Sequence, residues 1–238
     1  MIDIDILCSP CCRARLVVAR ESLECTQCQH AFPVREYGPD LMPPDAAQRF
    51  DAYPQWQAVQ AALTAWRQRT WTDTPDAHAA TARARQMGEA FSAWSGLAGR
   101  LLDIGCGGGW LRQTMPEAGY HGVDPMPTNM APEFPFVRGL GDRLPFRDAT
   151  FDTCTFFSSV DYAIGIENTL GEVRRVLKPG GRLAIASIVH TTKEVEGERL
   201  HHYRFLPGEL EGLLALQFVD VSSTAYQPNF HFIKGQKA

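Results

Sequence analysis

No stretch of this 238-residue chain approaches the roughly 18 consecutive apolar residues of a membrane-spanning helix, so no such span is expected. Excess positive charge is lacking too. Against 23 Lys and Arg stand 27 Asp and Glu, a formal net charge of -4. No global field would then draw the chain to nucleic acid or anionic lipid, although a local basic patch stays open. The opening residues Met1-Ile2-Asp3-Ile4-Asp5-Ile6 have none of the positive flank of a secretory signal, and a cytoplasmic protein is expected. Cysteine is scarce beyond residue 28, where only Cys106 and Cys154 occur. Last, there is no G-x-G-x-x-G: counted from Gly105, the third glycine would fall on Trp110.

What is present is organised around Leu101-Leu102-Asp103-Ile104-Gly105-Cys106-Gly107-Gly108-Gly109-Trp110-Leu111. Apolar residues around one acid read as a short buried strand, followed by alternate glycines and a helix from Trp110 to Glu117. A strand passing through a glycine turn into a helix brings a ligand against bare backbone. Glycine is required there where φ is positive or where a Cβ would strike the ligand. The next strand, Gly119 to Asp124, ends in an acid nineteen residues after Gly105, close to the spacing at which a carboxylate reaches ribose hydroxyls.

The D-x-G-x-G-x-G pattern resembles motif I of class I S-adenosylmethionine (SAM)-dependent methyltransferases. Later segments extend the resemblance over roughly residues 98 to 190. Leu140-Gly141-Asp142-Arg143-Leu144-Pro145-Phe146 is similar to the family's D-A-x-x-L-P-F, with Leu140 at the usual adenine-binding aspartate. Phe151-Asp152 opens a fourth strand, Ala149 to Phe157. Glu172-Val173-Arg174-Arg175-Val176-Leu177-Lys178-Pro179-Gly180-Gly181 matches E-x-x-R-V-L-K-P-G-G, a helix ending in a glycine turn into a fifth strand, Arg182 to Val189.

The resemblance implies an α/β, Rossmann-like, seven-stranded, mostly parallel sheet over residues 98–238. Phe136 to Gly139 is its third strand. A helix at Pro207 to Leu216 and an antiparallel hairpin, Phe218 to Ser222 with Phe230 to Ile233, close it. Pro125, Pro127, Pro132 and Pro135 interrupt the second crossover, where a short or missing helix is expected. By the same resemblance, Asp103, Gly105, Cys106, Gly107 and Gly109 hold the methionine part of SAM and Asp124 its ribose. Leu140, Gly141 and Asp142 hold the adenine, and Ser158 completes the pocket. Asp161, Tyr162, His201 and His202, with His190, lie where family members place acceptor contacts. Asp161 and the histidines are candidate bases, against the plainer reading of packing or surface residues.

Five cysteines fall within the first 28 residues, as Cys8-x-x-Cys11-Cys12 and Cys25-x-x-Cys28. Two C-x-x-C pairs separated by thirteen residues match a zinc ribbon, with Cys8, Cys11, Cys25 and Cys28 as ligands and Cys12 and His30 as substitutes or bystanders. A disulfide framework and a redox pair are the alternatives. With Ala31-Phe32-Pro33-Val34 the segment resembles the zinc-ribbon module of a methyltransferase activator, also fused to some rRNA guanine methyltransferases. Residues 1–45 are read as this module, stapled by metal and docked on the larger domain.

Residues 46–97 form a helical bridge. Trp56, Val59, Leu63 and Trp66 recur at helical spacing, and Thr74-Pro75-Asp76 starts a second helix running past Met87 towards Phe91 and Trp94. Its aromatic residues, Tyr53 and Trp71 among them, are read as core or as a lid for an apolar acceptor. The leading function is a SAM-dependent methyltransferase acting on a small molecule. The alternatives are an rRNA or tRNA base methyltransferase, which the acidity and the missing N/D-P-P-[YF] motif oppose, and a non-catalytic SAM-binding scaffold. A protein partner or self-association through the ribbon is also expected.

Overall fold

The computed structural model describes residues 2–52, 54–70, 75–114, 119–125, 132–193 and 201–238. Strand β5 (Leu101–Ile104) is buried along its whole length, as a near-continuous apolar run requires in a sheet covered on both faces. Beside it lie β6 (Tyr120–Asp124), β7 (Phe136–Arg138), β8 (Phe151–Phe157) and β9 (Leu177–Ile188). With β10 (Val219–Gln227) and β11 (Phe230–Gln236) they make one sheet in the order β10-β11-β9-β8-β5-β6-β7. Pairs from β9 to β7 are parallel, and β11 runs antiparallel to both β9 and β10. The seven-stranded, mostly parallel sheet with a C-terminal antiparallel hairpin is therefore present. The hairpin strands are longer than the sequence pattern outlined.

Two local expectations change. In place of a helix from Trp110, a single 3-10 turn spans Trp110–Thr114, and residues 115–118 lie outside the described ones. Helix α4 (Ile166–Val176) ends before Lys-Pro-Gly-Gly, and β9 begins at Leu177, so the glycines sit within β9, in the register shift between the Phe151–Leu177 and Thr153–Arg182 pairs. The reading of a shortened second crossover falls largely on residues 126–131, outside the described residues; 132–135 is not helical.

Helix α4 buries Ile166, Leu170, Val173 and Val176, the i, i+4, i+7 stripe of an amphipathic helix. Its Glu172 and Arg175, one turn apart, form a clamp. Arg175 Nη2 donates to Glu172 Oε2 at 2.7 Å and to the Leu144 carbonyl at 2.9 Å; Nη1 donates to the Phe146 carbonyl at 2.7 Å. Burial opposes the charge, but the Glu172 and Asp148 carboxylates hold the Arg175 guanidinium protonated more firmly than usual. The E-x-x-R pattern thus fastens the 144–146 loop to the helix.

The N-terminal module is a four-stranded antiparallel sheet: β1 (Leu16–Ala19), β2 (Ser22–Cys25), β3 (Ala31–Arg35) and β4 (Gly38–Pro39). Its Ile6, Leu7, Leu16, Leu23, Phe32 and Leu41 share one core cluster with Leu144 and Phe146 of the larger domain. Main chain crosses the boundary three times, the Arg147 N–H donating to the Ile6 carbonyl at 2.9 Å. Cys8 N–H donates to the Pro145 carbonyl at 3.1 Å, and Leu41 N–H donates to the Arg138 carbonyl at 2.9 Å, beside the edge strand β7. Arg13 adds an ion pair to Glu172 at 2.9 Å.

The bridge holds three helices, α1 (Ala46–Ala52), α2 (Pro54–Thr70) and α3 (Pro75–Ser95). The first has no counterpart in the sequence reading. Helix α3 begins at Pro75 as its start signal implied; Tyr53, Trp71 and Thr74 lie outside the described residues. Phe91 is fully buried and packs edge-on to Phe232, so it belongs to the core. Among the described residues no helix is long and apolar enough to cross a membrane.

Candidate functional site

The C-terminal ends of β5, β6 and β8 open on a cavity of about 350 Å³, within the usual range for small-molecule sites. The glycine turn forms its floor. Gly105 and Gly109 have φ of 72° and 76°, and a Cβ on either would strike the protein itself. At Gly105 it would meet the Ser159 Cβ at 2.6 Å, and at Gly109 the Phe134 ring at 2.4 Å. Close packing of the turn, as much as ligand approach, therefore demands these glycines.

Three buried carboxylates face this cavity. Asp103, at the end of β5, accepts the Tyr120 hydroxyl on Oδ2 at 2.6 Å. Its Oδ1 is buried and has no hydrogen-bond partner among the described residues. Burial pushes the Asp103 carboxyl up to about 7, the Tyr120 hydroxyl holding it down and nearby Asp124 pushing it further up. Asp124, at the end of β6, accepts the Gly107 N–H on Oδ2 at 2.8 Å, which ties the second strand to the glycine turn. Asp142 forms an ion pair with Arg49 of α1, and its Oδ1 is a second buried acceptor without a partner among the described residues.

Most of the residues assigned to the cofactor come together here. Asp103, Gly105, Cys106, Gly107, Asp124, Leu140, Gly141, Asp142 and Ser158 all line the cavity, and Gly109 lies one turn behind. Leu140 does not offer a polar group. It is buried against Trp56 and Ile164, and Asp142 two residues later brings the carboxylate instead.

The opposite wall comes from the bridge, the 3-10 turn after the glycines and the end of β8. Trp56, Leu63, Met87, Trp110 and Phe157 make it largely apolar, with Gln60 as a polar contribution from α2. Trp56 is fixed from three sides: it stacks on Phe50, packs on Leu140, and its Nε1 donates to the Tyr162 carbonyl at 2.7 Å.

Of the residues assigned to the acceptor, only Tyr162 lines the described cavity. His201 stacks on the Tyr162 ring with centroids 5.8 Å apart and an interplanar angle of 14°. Its Nε2 lies 3.5 Å from Asp161 Oδ2, and His190 packs edge-on behind it. Burial raises the Asp161 carboxyl to about 6, against the pull of His201. His202 turns away to pack on Tyr203, and burial lowers its pKa. Asp161 and His201 thus form a layer behind Tyr162, not a wall of the cavity.

In the N-terminal module the thiols that come together are Cys12, Cys25 and Cys28, all within 4.8 Å of one another. Of the four expected ligands, the cluster holds Cys25 and Cys28, with Cys12 in place of the other two. Cys8 points the other way and donates its thiol to the Phe146 carbonyl at 3.1 Å, and burial there pushes it up to about 11. Cys11 is exposed and outside the cluster. Burial would raise the Cys25 thiol, but hydrogen bonds from the Cys28 and Gln27 backbone outweigh it and bring it down to about 6. Three convergent thiols, one already acidic, are a donor set that suits Zn²⁺.

Arg49, Gln60 and Met87 were not anticipated at the site. A single arginine on a seven-residue helix leaves no periodic signal to read.

Residues 102–185 match a family described as "Methyltransferase domain", and residues 4–36 match one described as "Trm112p-like protein". Over 124 residues the chain is 36% identical to the malonyl-[acyl-carrier protein] O-methyltransferase of Erwinia pyrifoliae, covering 47% of each. It therefore spans about half the length of that relative. Among solved structures, a SAM-dependent methyltransferase of Thermotoga maritima, a possible histamine N-methyltransferase, superposes with a TM-score of 0.58 at 18% identity, covering 77% of this chain and all of that one. The 1,6-didemethyltoxoflavin-N1-methyltransferase of Burkholderia thailandensis, with 1,6-didemethyltoxoflavin and S-adenosylhomocysteine bound, does so at 0.53 and 20% identity, covering 92% and 99%. At these identities the structures establish the fold alone, a Rossmann-like sheet.

Proposed function

We propose that this chain, a methyltransferase domain over residues 102–185 behind a Trm112p-like module over 4–36, moves the methyl group of SAM to a small, largely apolar acceptor held in the same cavity. The observation that carries the reading is the buried Asp103 Oδ1 beside the glycine turn, which has no partner among the described residues, with Asp124 across the floor. A buried carboxylate oxygen without a donor is costly unless a ligand supplies one. SAM has an ammonium for Asp103, a ribose diol for Asp124 and an exocyclic adenine amine for Asp142 Oδ1. Three carboxylates with one nearby guanidinium also favour a ligand that is cationic at its sulfonium end.

When bound, SAM supplies an electrophilic methyl group, which an in-line displacement delivers to the acceptor. The chain's own part is alignment and exclusion of water. Trp56, Met87, Trp110 and Phe157 offer the acceptor an apolar seat, and Gln60 one hydrogen-bonding group. Where the acceptor must lose a proton, Tyr162 is the titratable side chain at the wall, its ring positioned by the His201 stacked on it.

Calorimetric titration with SAM tests the reading. Dissociation constants up to the 100 µM scale, about that of ordinary enzyme–ligand sites, are expected, and their absence would overturn it. An untargeted screen of small-molecule methyl acceptors then identifies the substrate. Methylation of rRNA or tRNA in its place, with binding that weakens steeply as salt rises, would transfer the activity to the nucleic-acid class.

A further inference from the structure

The two turns that carry the thiol cluster are built alike. In Cys25-Thr26-Gln27-Cys28, the N–H of Gln29 donates to the Cys25 carbonyl at 3.0 Å, and Gln29 is left-handed with φ 59°. In Ser9-Pro10-Cys11-Cys12, the N–H of Arg13 donates to the Ser9 carbonyl at 2.8 Å, and Arg13 has φ 62°. In each, the first side chain also accepts a backbone N–H from inside its own turn. Cys28 N–H reaches Cys25 Sγ at 3.4 Å, and Cys11 N–H reaches Ser9 Oγ at 3.2 Å. Ser9 is therefore the counterpart of Cys25, and Cys12 that of Cys28.

The distances place Ser9 at a fourth corner. Cys12 Sγ and Cys25 Sγ are 3.4 Å apart, and Ser9 Oγ lies 3.9 Å from Cys28 Sγ. A tetrahedral zinc with bonds of about 2.3 Å to sulfur sets its ligand atoms about 3.8 Å apart. Ser9 is fully buried, so its hydroxyl belongs to the interior of this cluster and not to solvent.

We propose that the module holds one zinc ion through the Cys12, Cys25 and Cys28 thiolates, with the Ser9 hydroxyl as the fourth donor. Three thiolates leave the centre with one net negative charge where four would leave two. A neutral hydroxyl is a harder and weaker donor to zinc than a thiolate. The site therefore releases its metal more readily than a four-cysteine ribbon. The module's apolar residues share their core with Leu144 and Phe146, so it does not depend on the metal alone for its fold.

Cobalt substitution of the full chain under reducing conditions tests this, because thiolate-to-cobalt charge-transfer absorption counts sulfur ligands. One cobalt per chain is expected, retained in Cys8→Ser and Cys11→Ser and lost in Cys12→Ser and Cys25→Ser. Ser9→Cys should raise the charge-transfer intensity by about a third, from three thiolates to four. It should also raise the chelator concentration needed to strip the metal by roughly tenfold or more, while Ser9→Ala lowers it. Far-ultraviolet circular dichroism confirms that each variant is folded. A folded Cys8→Ser variant that loses the metal, a wild-type chain that takes none, or a Ser9→Cys variant indistinguishable from wild type would each overturn the assignment.

Discussion

Replacing Asp103 by asparagine should alter two pH dependences in opposite directions. The carboxyl is raised from 3.8 to about 7, chiefly by burial. Because its folded pKa lies above its unfolded one, the contribution it makes to stability is fully present below about pH 4 and is lost as pH rises through 7. A shift of about three units at about 1.4 kcal/mol each gives roughly 4 kcal/mol over that window. Asparagine does not titrate. The stability of Asp103→Asn relative to wild type should therefore grow by up to about 4 kcal/mol between about pH 4 and pH 8. Equilibrium unfolding in denaturant at several pH values measures it.

Binding runs the other way. An ammonium seated on Asp103 Oδ1 prefers the ionised carboxylate, so the wild-type affinity for SAM should climb between about pH 5 and pH 7, by up to tenfold per unit, and then level off. The asparagine variant should bind weakly and with little dependence on pH. Calorimetric titration across the same window gives the comparison. An affinity that is flat in the wild type, with unfolding slopes that are the same in both proteins, would refute the placement of a buried carboxylate against the ligand's charge.

Asp124→Ala removes the carboxylate proposed for the ribose together with the 2.8 Å anchor of the Gly107 N–H, and should abolish SAM binding in the same titration; unchanged affinity would put the ribose elsewhere. Arg175→Met deletes the clamp between α4 and the 144–146 loop and leaves buried Glu172 with only the largely exposed Arg13, so chemical denaturation should show a loss of about 3–5 kcal/mol. Trp56→Phe keeps the stacking on Phe50 but loses the 2.7 Å bond to the Tyr162 carbonyl. It should cost about 1 kcal/mol of stability and raise KM for the acceptor more than it lowers kcat.

The sheet was legible wherever one residue pattern answered to one environment. Leu101 to Ile104 is apolar and buried on both faces, and Asp124 closes its strand at the spacing the glycine turn demands. Legibility failed where the deciding contact was long-range. Helix α1 has seven residues, too few to show a period, and its Arg49 meets Asp142 from 93 residues away. The segment after Gly109 has helix-forming residues but tightens into a 3-10 turn. The thiol cluster differs from the expected ligand set for a different reason. Counting C-x-x-C starts the first turn at Cys8, whereas the backbone starts it at Ser9, and serine is invisible to a rule that counts cysteines.

The same contacts say what the N-terminal module does for the rest of the chain. Residues 138–147 run along the sheet edge and carry Leu140, Gly141 and Asp142 to the cavity. The module and bridge grip that run from outside. Leu41 bonds the Arg138 carbonyl, Arg138 pairs with Asp40 at 2.8 Å, and Arg143 with Asp45 at 3.1 Å. Arg49 pairs with Asp142, and Leu7 bridges Phe146. Leu144 and Phe146 are buried in a core cluster that the module helps to build, each burial worth about 1.5–3 kcal/mol. In a parallel sheet the edge strand needs such cover. Here the cover also packs on the run that supplies Leu140, Gly141 and Asp142 to the cavity, at a distance from the module's own thiols.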